Sequence, residues 1–401
     1  VERSRGSEMC IRDRSYWPLM KSTINWWDRF EIIKFVLTSD KFTNGIKVKE
    51  FEKAWSEWLG VKHSLFVSSG STANLLLVSA VKELYKIPNG SKVLLPACTW
   101  VTNVAPILQV GLEPVFCDIS LDNFSFNLQT LPKADVKIVF VTHLLGLNAP
   151  VEKLKERYPK AIFIEDICES HGVTDSYGVK RGGDSSVGST FSFYYGHHMT
   201  TVEGGMVSTN NRELYNLMQL KRSHGMAREL DPEDFRTAAA QYPNIDPRFL
   251  FLTDGFNFRN TEIGAVLGLS QLPRLDETIQ IRKRNYRLFV SKLKQFNEFY
   301  PPCDAETNSS FCLPLVCKSS ETMKELKREF EASGIETRPI VSGNLLGQPF
   351  LKKYSGIPVP NAEIVNSNGV YVGNNQHVTE EMIETMFKII QKVLGIKAEG
   401  S

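Results

Sequence analysis

The stretch Ser189-Thr-Phe-Ser-Phe-Tyr-Tyr-Gly-His-His-Met-Thr-Thr-Val-Glu-Gly-Gly-Met-Val-Ser208 is the most informative part of this chain. Its β-branched and aromatic residues predict a strand over Thr190–Tyr195 that ends at Gly196. A second short strand is predicted after Gly204-Gly205. In α/β proteins, the ends of such strands and the loops after them carry the residues that do chemistry.

Two adjacent histidines, His197 and His198, lie at the predicted strand end, and no lysine occurs between Lys180 and Lys221. Adjacent side chains on an extended chain point to opposite faces, which makes joint ligation of one metal ion awkward. The residues alone leave two interpretations open. Either one histidine has a functional role, or both are ordinary loop residues.

Upstream, Ser64–Val67 is predicted as a strand and Leu75–Leu84 as a helix, joined by the small polar segment Ser68-Ser69-Gly70-Ser71-Thr72-Ala73-Asn74. Free backbone N–H groups at a helix start bind anions, most often phosphate. The same segment also fits a plain helix cap made by Ser71 or Thr72. The motif therefore indicates a helix start and leaves a phosphate site open.

Four further apolar segments are predicted as strands: Lys92–Leu95, Pro114–Asp118, Val136–Val141 and Ala161–Ile164. Helix-like spacers separate them. Strands that alternate with helices in this way favour a parallel sheet that is covered on both faces.

Residues just beyond two of these strands fit a ligand site. Trp100 follows the first, where an aromatic ring is well placed to stack on a planar ligand. Glu165 and Asp166 follow the last, and two adjacent carboxylates there are unfavourable unless one meets a cation or a proton donor. We therefore expect a buried positive partner for Asp166.

The chain is expected to form two domains, a large one over residues 16–275 and a small C-terminal one over 276–401. A charged helix from about Asp276 to Phe296 would bridge them. Residues 1–15 are rich in Arg and Ser and lack periodicity, so we expect a disordered extension or an artefact of the sequence record. The polar segment Glu229–Arg248 contains three prolines and is predicted to be a long loop.

The composition is that of a globular enzyme and argues against several other classes of protein. The chain has 401 residues, 42% of them hydrophobic and 23% charged, with a formal net charge of +2. This gives no reason to expect binding to nucleic acid or to a membrane. The seven cysteines are scattered without a Cys-x-x-Cys pair. We therefore expect reduced thiols in a cytoplasmic protein, and no metal site, disulfide framework or iron–sulfur cluster.

Several short motifs occur together in one order: Ser69-Gly70-Ser71-Thr72-Ala73, Trp100, Glu165-Asp166, Phe191-Ser192-Phe193, Glu203-Gly204-Gly205, His224-Gly225 and Gly255-Phe256-Asn257-Phe258-Arg259. With them, the sequence from about Trp17 resembles the pyridoxal-phosphate-dependent sugar aminotransferases of the DegT/StrS type. The resemblance implies an α/β fold like that of aspartate aminotransferase, known as fold type I. Such a fold has a large domain with a mixed, mostly parallel sheet and a smaller C-terminal α/β domain.

The resemblance also implies which residues contact pyridoxal 5'-phosphate or pyridoxamine 5'-phosphate: Gly70, Ser71, Thr72, Trp100, Asp166, Glu169, Ser192 and Asn257. Asp166 would pair with the protonated ring nitrogen, Trp100 would stack on the ring, and Glu169 would face the ring hydroxyl. The residues of the helix start and Ser192 would hold the phosphate. Asn257 would reach it from a neighbouring subunit, which implies a homodimer with a shared active site.

The chain departs from the aminotransferases at one position. Their lysine, which binds the cofactor covalently, stands five residues after the serine, where this chain has His197. In this respect the chain is similar to the sugar 3-dehydratases of the family. The similarity to these dehydratases implies that the chain removes the C3 hydroxyl from a nucleotide-linked 4-keto-6-deoxy sugar, here GDP-4-keto-6-deoxy-D-mannose. It also implies that His197 is the catalytic base. L-Glutamate would restore the pyridoxamine form, and ammonia would be released.

Three residues are expected near the substrate: His143, His224 and Arg338. His198 is expected to be structural. Two alternatives stay open for the function. The chain could be an aminotransferase homologue with altered or lost activity, or a dehydratase that acts on a CDP- or UDP-linked keto sugar.

Overall fold

A computed structural model describes residues 16–396, so the extension predicted at residues 1–15 lies outside the described part. The α-helices are α1 (Trp26–Thr38), α2 (Ile46–Leu59), α3 (Gly70–Leu84), α4 (Ala105–Gln109), α5 (Val151–Arg157), α6 (Arg212–Arg222), α7 (Pro232–Gln241), α8 (Glu262–Gln271), α9 (Leu275–Leu293), α10 (Ser320–Ala332), α11 (Pro360–Asn368) and α12 (Glu380–Val393). The strands are β1 (His63–Val67), β2 (Lys92–Pro96), β3 (Glu113–Cys117), β4 (Ile138–Thr142), β5 (Ile162–Asp166), β6 (Gly188–Ser192), β7 (Gly205–Thr209), β8 (Cys312–Val316), β9 (Thr337–Pro339) and β10 (Gly369–Gly373).

Seven strands form one sheet in the order β1-β7-β6-β5-β4-β2-β3. Strand β7 is antiparallel to both of its neighbours, and the other paired strands are parallel. Strands β4, β6 and β7 are buried along their whole length, as expected where helices cover both faces of a sheet. The predicted α/β fold with a mixed, mostly parallel sheet is confirmed.

A second, smaller sheet of three antiparallel strands follows in the C-terminal part, in the order β8-β10-β9. One continuous cluster of buried apolar side chains extends from Leu65 on β1 to Ile390 on α12 and therefore connects the two sheets. The division into domains at residues 275 and 276 stays a prediction. It falls at the first turn of α9.

The predicted loop over Glu229–Arg248 is wrong in part, because it contains helix α7. Pro232 was counted as a loop signal, but it occupies the first turn of the helix, where its missing N–H has no intrahelical partner to lose. Ala238, Ala239 and Ala240 then favour the helix. None of the residues of α7 is buried, so no apolar periodicity announced it.

Two predicted boundaries also differ from the structure. Strand β6 ends at Ser192 and not at Tyr195, because its partner β7 begins at Gly205, the residue opposite Ser192. Helix α3 begins at Gly70 and not at Leu75, because Ser69 caps it. In the structure, the polar residues at the end of β6 and at the start of α3 lie at the same edge of the sheet.

That edge is formed by the carboxyl ends of the central parallel strands. Thr142 at the end of β4 pairs with Asp166 at the end of β5, and Asp166 pairs with Thr190 near the end of β6. Ligand sites of open α/β sheets occur at this edge. Among residues 16–396 no helix is both long and apolar enough to cross a membrane.

Candidate active site

A cavity of about 360 Å³ opens at this edge of the sheet. Most of the predicted site residues line it: Gly70, Ser71, Trp100, His143, Asp166, Glu169, Ser192, His197 and Arg338. They come from the start of α3, the loops after β2 and β4, the end of β5 and the loop after it, the end of β6 and the loop after it, and strand β9. The fold therefore brings together residues that are far apart in sequence.

One end of the cavity is formed by the first turn of α3 against β6. A Cβ atom at Gly70 would lie 2.7 Å from Cβ of Ser192 and 3.0 Å from Sγ of Cys168, so the close approach of helix and strand requires glycine. The first backbone N–H groups of a helix have no intrahelical acceptor. The amides of Gly70 and Ser71, together with the Ser192 hydroxyl, therefore form a site suited to an anion.

Thr72 was expected to contact the cofactor phosphate, but it is not among the residues that line the cavity. Its hydroxyl accepts a hydrogen bond from the Ser69 backbone N–H at 3.0 Å, and its own N–H donates to the Ser69 hydroxyl at 3.1 Å. This reciprocal pair is a capping box that fixes the start of α3. The predicted cap at Ser71 or Thr72 is therefore wrong, because Ser69 is the capping residue and Thr72 only completes the capping box. The groups suited to an anion lie beside the cap at Gly70 and Ser71.

Asp166 lies in the floor of the cavity and is almost fully buried. Its Oδ2 atom accepts hydrogen bonds from the side-chain amides of Asn74 at 2.8 Å and Asn103 at 2.7 Å. Its Oδ1 atom accepts from the backbone N–H of Cys168 at 2.9 Å. On the side that faces the protein interior, the Asp166 carboxylate thus accepts hydrogen bonds from uncharged groups.

The neighbouring carboxylate, Glu165, points away from the cavity into the protein. It accepts hydrogen bonds from Nε2 of His143 at 2.8 Å and from the Ser185 hydroxyl at 2.5 Å. Burial raises the pKa of Glu165, but the hydrogen bonds from His143 and Ser185 outweigh it and hold the pKa below its usual value.

The ring of His143 is fully buried, and both of its nitrogens have partners. Nδ1 accepts the backbone N–H of Ala149 at 3.1 Å, so Nε2 carries the proton that it donates to Glu165. The predicted substrate contact of His143 is therefore not available to its ring. It serves instead as the proton donor that a buried carboxylate requires.

Glu169 lies on the same wall of the cavity, and one of its oxygens accepts the backbone N–H of Leu145 at 2.9 Å. Burial and, to a smaller extent, the negative charge of Asp166 raise the pKa of Glu169, the Leu145 N–H lowers it, and the net result is a pKa of about 7. Near neutral pH, Glu169 can therefore donate or accept a proton from a ligand in the cavity.

His197 lines the cavity from the loop after β6. Its ring is 5.3 Å from the ring of Phe311 and interacts with the backbone of Cys168. Its Nδ1 atom is buried without a partner among the described residues, so Nε2 is the nitrogen that we assign to the cavity. Burial and the Arg282 guanidinium lower the pKa of His197 to about 3, which leaves the imidazole neutral at physiological pH.

His198 points away from the cavity, although the two histidines lie in a bend and not on the extended chain that was expected. Its ring is fully buried, and its Nε2 lies 3.0 Å from the Ser309 hydroxyl. That hydroxyl donates to the backbone carbonyl of His171, so Nε2 of His198 is the donor toward it. Nδ1 of His198 is then an acceptor, 3.4 Å from Nδ1 of His171.

The rim of the cavity carries Trp100, which is 51% exposed, and Arg338 on β9. Arg338 pairs in register with Tyr371 on β10, and both side chains line the cavity. An exposed indole and an exposed guanidinium at the mouth are free to contact a ligand. These are the aromatic face and the cation that a planar ring and a carboxylate or phosphate would bind.

Residues 27–391 match the DegT/DnrJ/EryC1/StrS aminotransferase family. The chain belongs to this family. It is 34% identical over 394 residues to GDP-4-keto-6-deoxy-D-mannose 3-dehydratase of Yersinia pseudotuberculosis, with 94% of this chain and 98% of the relative covered.

Two solved structures of GDP-4-keto-6-deoxymannose 3-dehydratase share the fold of this DegT-family chain. A histidine-to-asparagine variant with bound GDP-perosamine superposes with a TM-score of 0.87 at 30% identity, covering 93% of this chain and 100% of the other. A second structure, with a trapped PLP–glutamate geminal diamine, gives a TM-score of 0.84 at 28% identity and the same coverage. The fold-type-I architecture expected from the sequence is confirmed.

The cavity of this DegT-family chain fits pyridoxal phosphate. It offers an anion site at Gly70 and Ser71, an oriented carboxylate at Asp166 and an aromatic face at Trp100. These three groups match the phosphate, the ring nitrogen and the ring face of the cofactor. Among residues 16–396, Asp166 meets uncharged donors and no cation, so the positive partner that was expected for it stays a prediction.

Two predicted residues of the DegT-family site lie elsewhere. His224 is exposed in a tight turn with φ of 61° and does not line the cavity that contains Asp166. Asn257 lines a larger polar cavity of about 1040 Å³ together with Arg259. A location away from its own chain's Asp166 is what a contribution to a neighbouring subunit would require, and that role stays a prediction.

Several residues at the site were not singled out from the sequence. Tyr371 and Phe311 line the cavity from the C-terminal part of the chain, and Arg282 approaches His197 from α9. Asn74 and Asn103 contact Asp166 from buried positions. Asn74 had a weak signal, since an asparagine directly before the apolar run of a buried helix requires a buried partner.

Proposed function

We propose that this chain is a pyridoxamine-phosphate-dependent 3-dehydratase. Its substrate would be a nucleotide-linked 4-keto-6-deoxy sugar, namely GDP-4-keto-6-deoxy-D-mannose, and L-glutamate would restore the pyridoxamine form. The observation that carries the proposal is His197, a neutral imidazole in the cavity where the family's aminotransferases have lysine. The names of its relatives support the same substrate and the same reaction.

The residues that would hold the cofactor come from several elements. The amides of Gly70 and Ser71 and the Ser192 hydroxyl would bind the phosphate, Asp166 the ring nitrogen, and Trp100 the ring face. When bound, pyridoxamine phosphate supplies a reactive amine and a ring that accepts electrons. Asp166 supports that electron demand, because a carboxylate beside the ring nitrogen keeps it protonated.

His197 would move the protons. With a pKa of about 3, its ring is unprotonated at neutral pH, so Nε2 is available as a general base. Once protonated, an imidazole with so low a pKa gives its proton up readily. The same nitrogen can therefore deliver the proton to the C3 hydroxyl of the sugar, which leaves as water. A lysine in this position would bind the cofactor covalently, which an imidazole cannot do.

The remaining parts of the proposal concern the partners. Arg338 at the rim is the group we assign to the carboxylate of glutamate or to the nucleotide sugar. We also propose a homodimer in which Asn257 reaches the cofactor phosphate of the neighbouring subunit. A cytoplasmic location stays a prediction that rests on the scattered cysteines.

A spectroscopic experiment tests the function. Purified protein is mixed with pyridoxal phosphate and L-glutamate, and the absorbance of the aldehyde form should be replaced by that of the pyridoxamine form. Addition of GDP-4-keto-6-deoxy-D-mannose should then release ammonia and a 3-deoxy-4-keto sugar. Release of ammonia with only the CDP- or UDP-linked sugar would change the assigned nucleotide. A 4-amino sugar product would identify a transaminase, and no ammonia with any keto sugar would exclude a dehydratase.

A further inference from the structure

Two buried asparagines lie behind Asp166, outside the cavity lining. We propose that Asn74 and Asn103 are positioning residues that hold Asp166 with its Oδ1 atom turned toward the ring nitrogen of the cofactor. This inference rests on the proposed function, because it presupposes that the ring nitrogen binds Asp166. It assigns a role to two residues that do not themselves touch the cofactor.

The hydrogen bonds decide which oxygen stays available. Asn74 and Asn103 both donate to Oδ2, at 2.8 and 2.7 Å, whereas Oδ1 receives the Cys168 N–H at 2.9 Å. The Cys168 thiol, a weak donor, also hydrogen-bonds the carboxylate. Each carboxylate oxygen has about two lone pairs, so the two amides saturate Oδ2, and a ligand at Oδ1 displaces at most the weak thiol donor.

The two amides are themselves held in one orientation. The Thr190 hydroxyl donates to Oδ1 of Asn74 at 2.6 Å, and the Thr99 hydroxyl donates to Oδ1 of Asn103 at 2.7 Å. Since the amide oxygens are engaged by hydroxyl groups, the NH₂ groups must face Asp166. All four of these residues are fully buried, so water does not compete for these bonds.

The choice of amides has a chemical consequence. Among residues 16–396, Asp166 has no ion pair with Lys, Arg or His. A buried lysine or arginine would neutralise the carboxylate and compete with the ring nitrogen for it. Amides stabilise the charged form by hydrogen bonding without neutralising it. The negative charge of Asp166 thus stays available to a protonated ring nitrogen.

The main test is Asn103→Leu, which keeps the approximate shape of the side chain and removes the donor. Because His197 cannot bind the cofactor covalently, the dissociation constant of pyridoxal phosphate is measured directly by equilibrium dialysis. We expect binding about 10- to 100-fold weaker, the range seen when outer-shell partners of metal ligands are removed. With ¹⁵N-labelled cofactor, the NMR signal of the ring nitrogen should also move toward that of the unprotonated form.

A matched control and a milder variant complete the design. Asn285 is another fully buried asparagine, and its amide donates to the Val378 carbonyl at 3.0 Å in the C-terminal part. Asn285→Leu should lower stability while the dissociation constant and the ring-nitrogen signal stay unchanged. Thr99→Val removes the hydroxyl that orients Asn103, together with its hydrogen bond to the Thr142 hydroxyl at 2.8 Å, and binding about 2- to 10-fold weaker is expected.

The outcomes separate the two proposals. If the wild-type protein binds neither form of the cofactor, the proposed function fails. If the wild-type protein binds it, and both Asn103→Leu and Thr99→Val bind equally well with an unchanged ring-nitrogen signal, the positioning role is overturned. Should Asn103→Leu not fold, Thr99→Val decides the question alone.

Discussion

His197 and His198 are neighbours in the chain but belong to two different regions of the molecule. His197 lines the cavity, together with Asp166, Trp100 and Glu169. His198 belongs to a sealed layer behind it, which we define as His171, His198, Arg282 and Ser309, all fully or almost fully buried. One residue of sequence separates a ring that can reach a substrate from a ring that cannot.

The two regions differ in where their polar groups find partners. In the sealed layer, Ser309 and the two histidines form a directed set of hydrogen bonds that ends on a backbone carbonyl, although Nε2 of His171 and Nε of Arg282 have no partner among the described residues. In the cavity, the reactive atoms lack protein partners on the side that faces the ligand. Groups left with free hydrogen-bonding capacity in a concave site are available for chemistry, whereas satisfied buried groups specify the fold.

The largest loss of dehydration activity is expected for His197→Lys, which changes the histidine that lines the cavity. Dehydration should fall by about 100- to 10,000-fold, the usual contribution of a general acid–base group. The lysine should also bind pyridoxal phosphate covalently, so that borohydride treatment adds the mass of the cofactor to the protein. Mass spectrometry and the ammonia assay measure the two results.

His197→Asn serves as the control for this variant. It should lose dehydration to a similar extent, but it should bind no cofactor after borohydride treatment, because an amide does not react with the aldehyde. Efficient dehydration by either variant would show that His197 is not the base.

The sequence predicted those features of the site that depend on residues close together along the chain. Local patterns predicted that α3 and β5 exist, although α3 begins five residues before its predicted start and β5 ends two residues after its predicted end. The resemblance to the sugar aminotransferases then singled out His197. All of these inferences use residues that are close together in sequence or matched to a motif.

The remaining contacts join residues that no local pattern connects. His143 was expected near the substrate, but it meets Glu165, 22 positions away, only because β4 and β5 are adjacent. Arg282 approaches His197 across 85 positions. Such pairings depend on strand order and helix packing, which a single sequence does not display.

An intermediate effect is expected in the sealed layer for His198→Leu. The variant leaves the Ser309 hydroxyl without its donor and His171 without its acceptor, and a buried polar group left unpaired costs about 1–3 kcal/mol. Urea unfolding should therefore show lower stability, whereas the folded variant should keep its rate of dehydration within about twofold. His198→Gln, which can restore a donor near Ser309, should recover part of the stability. A loss of rate as large as that of His197→Asn would remove the distinction between the two regions.

The smallest effect concerns Arg282, which connects the two regions. It is fully buried, donates to the Phe311 carbonyl at 2.8 Å and lies 3.4 Å from the His197 carbonyl, and makes no ion pair with a described carboxylate. After burial, its positive charge is the second cause of the low pKa of His197. Arg282→Met removes that charge, so the pKa of His197 should rise toward 6.5 by about one unit.

The direction of this shift can be measured in the pH dependence of kcat/KM. His197 acts as a base only when unprotonated, so a higher pKa moves the acidic limb of the profile to higher pH and leaves the rate above pH 7 little changed. Arg282→Lys keeps the charge and should keep the wild-type limb, even if it positions the loop less well. If the Met and Lys variants show the same acidic limb, the charge of Arg282 does not reach His197, and the sealed layer acts on the cavity through packing alone.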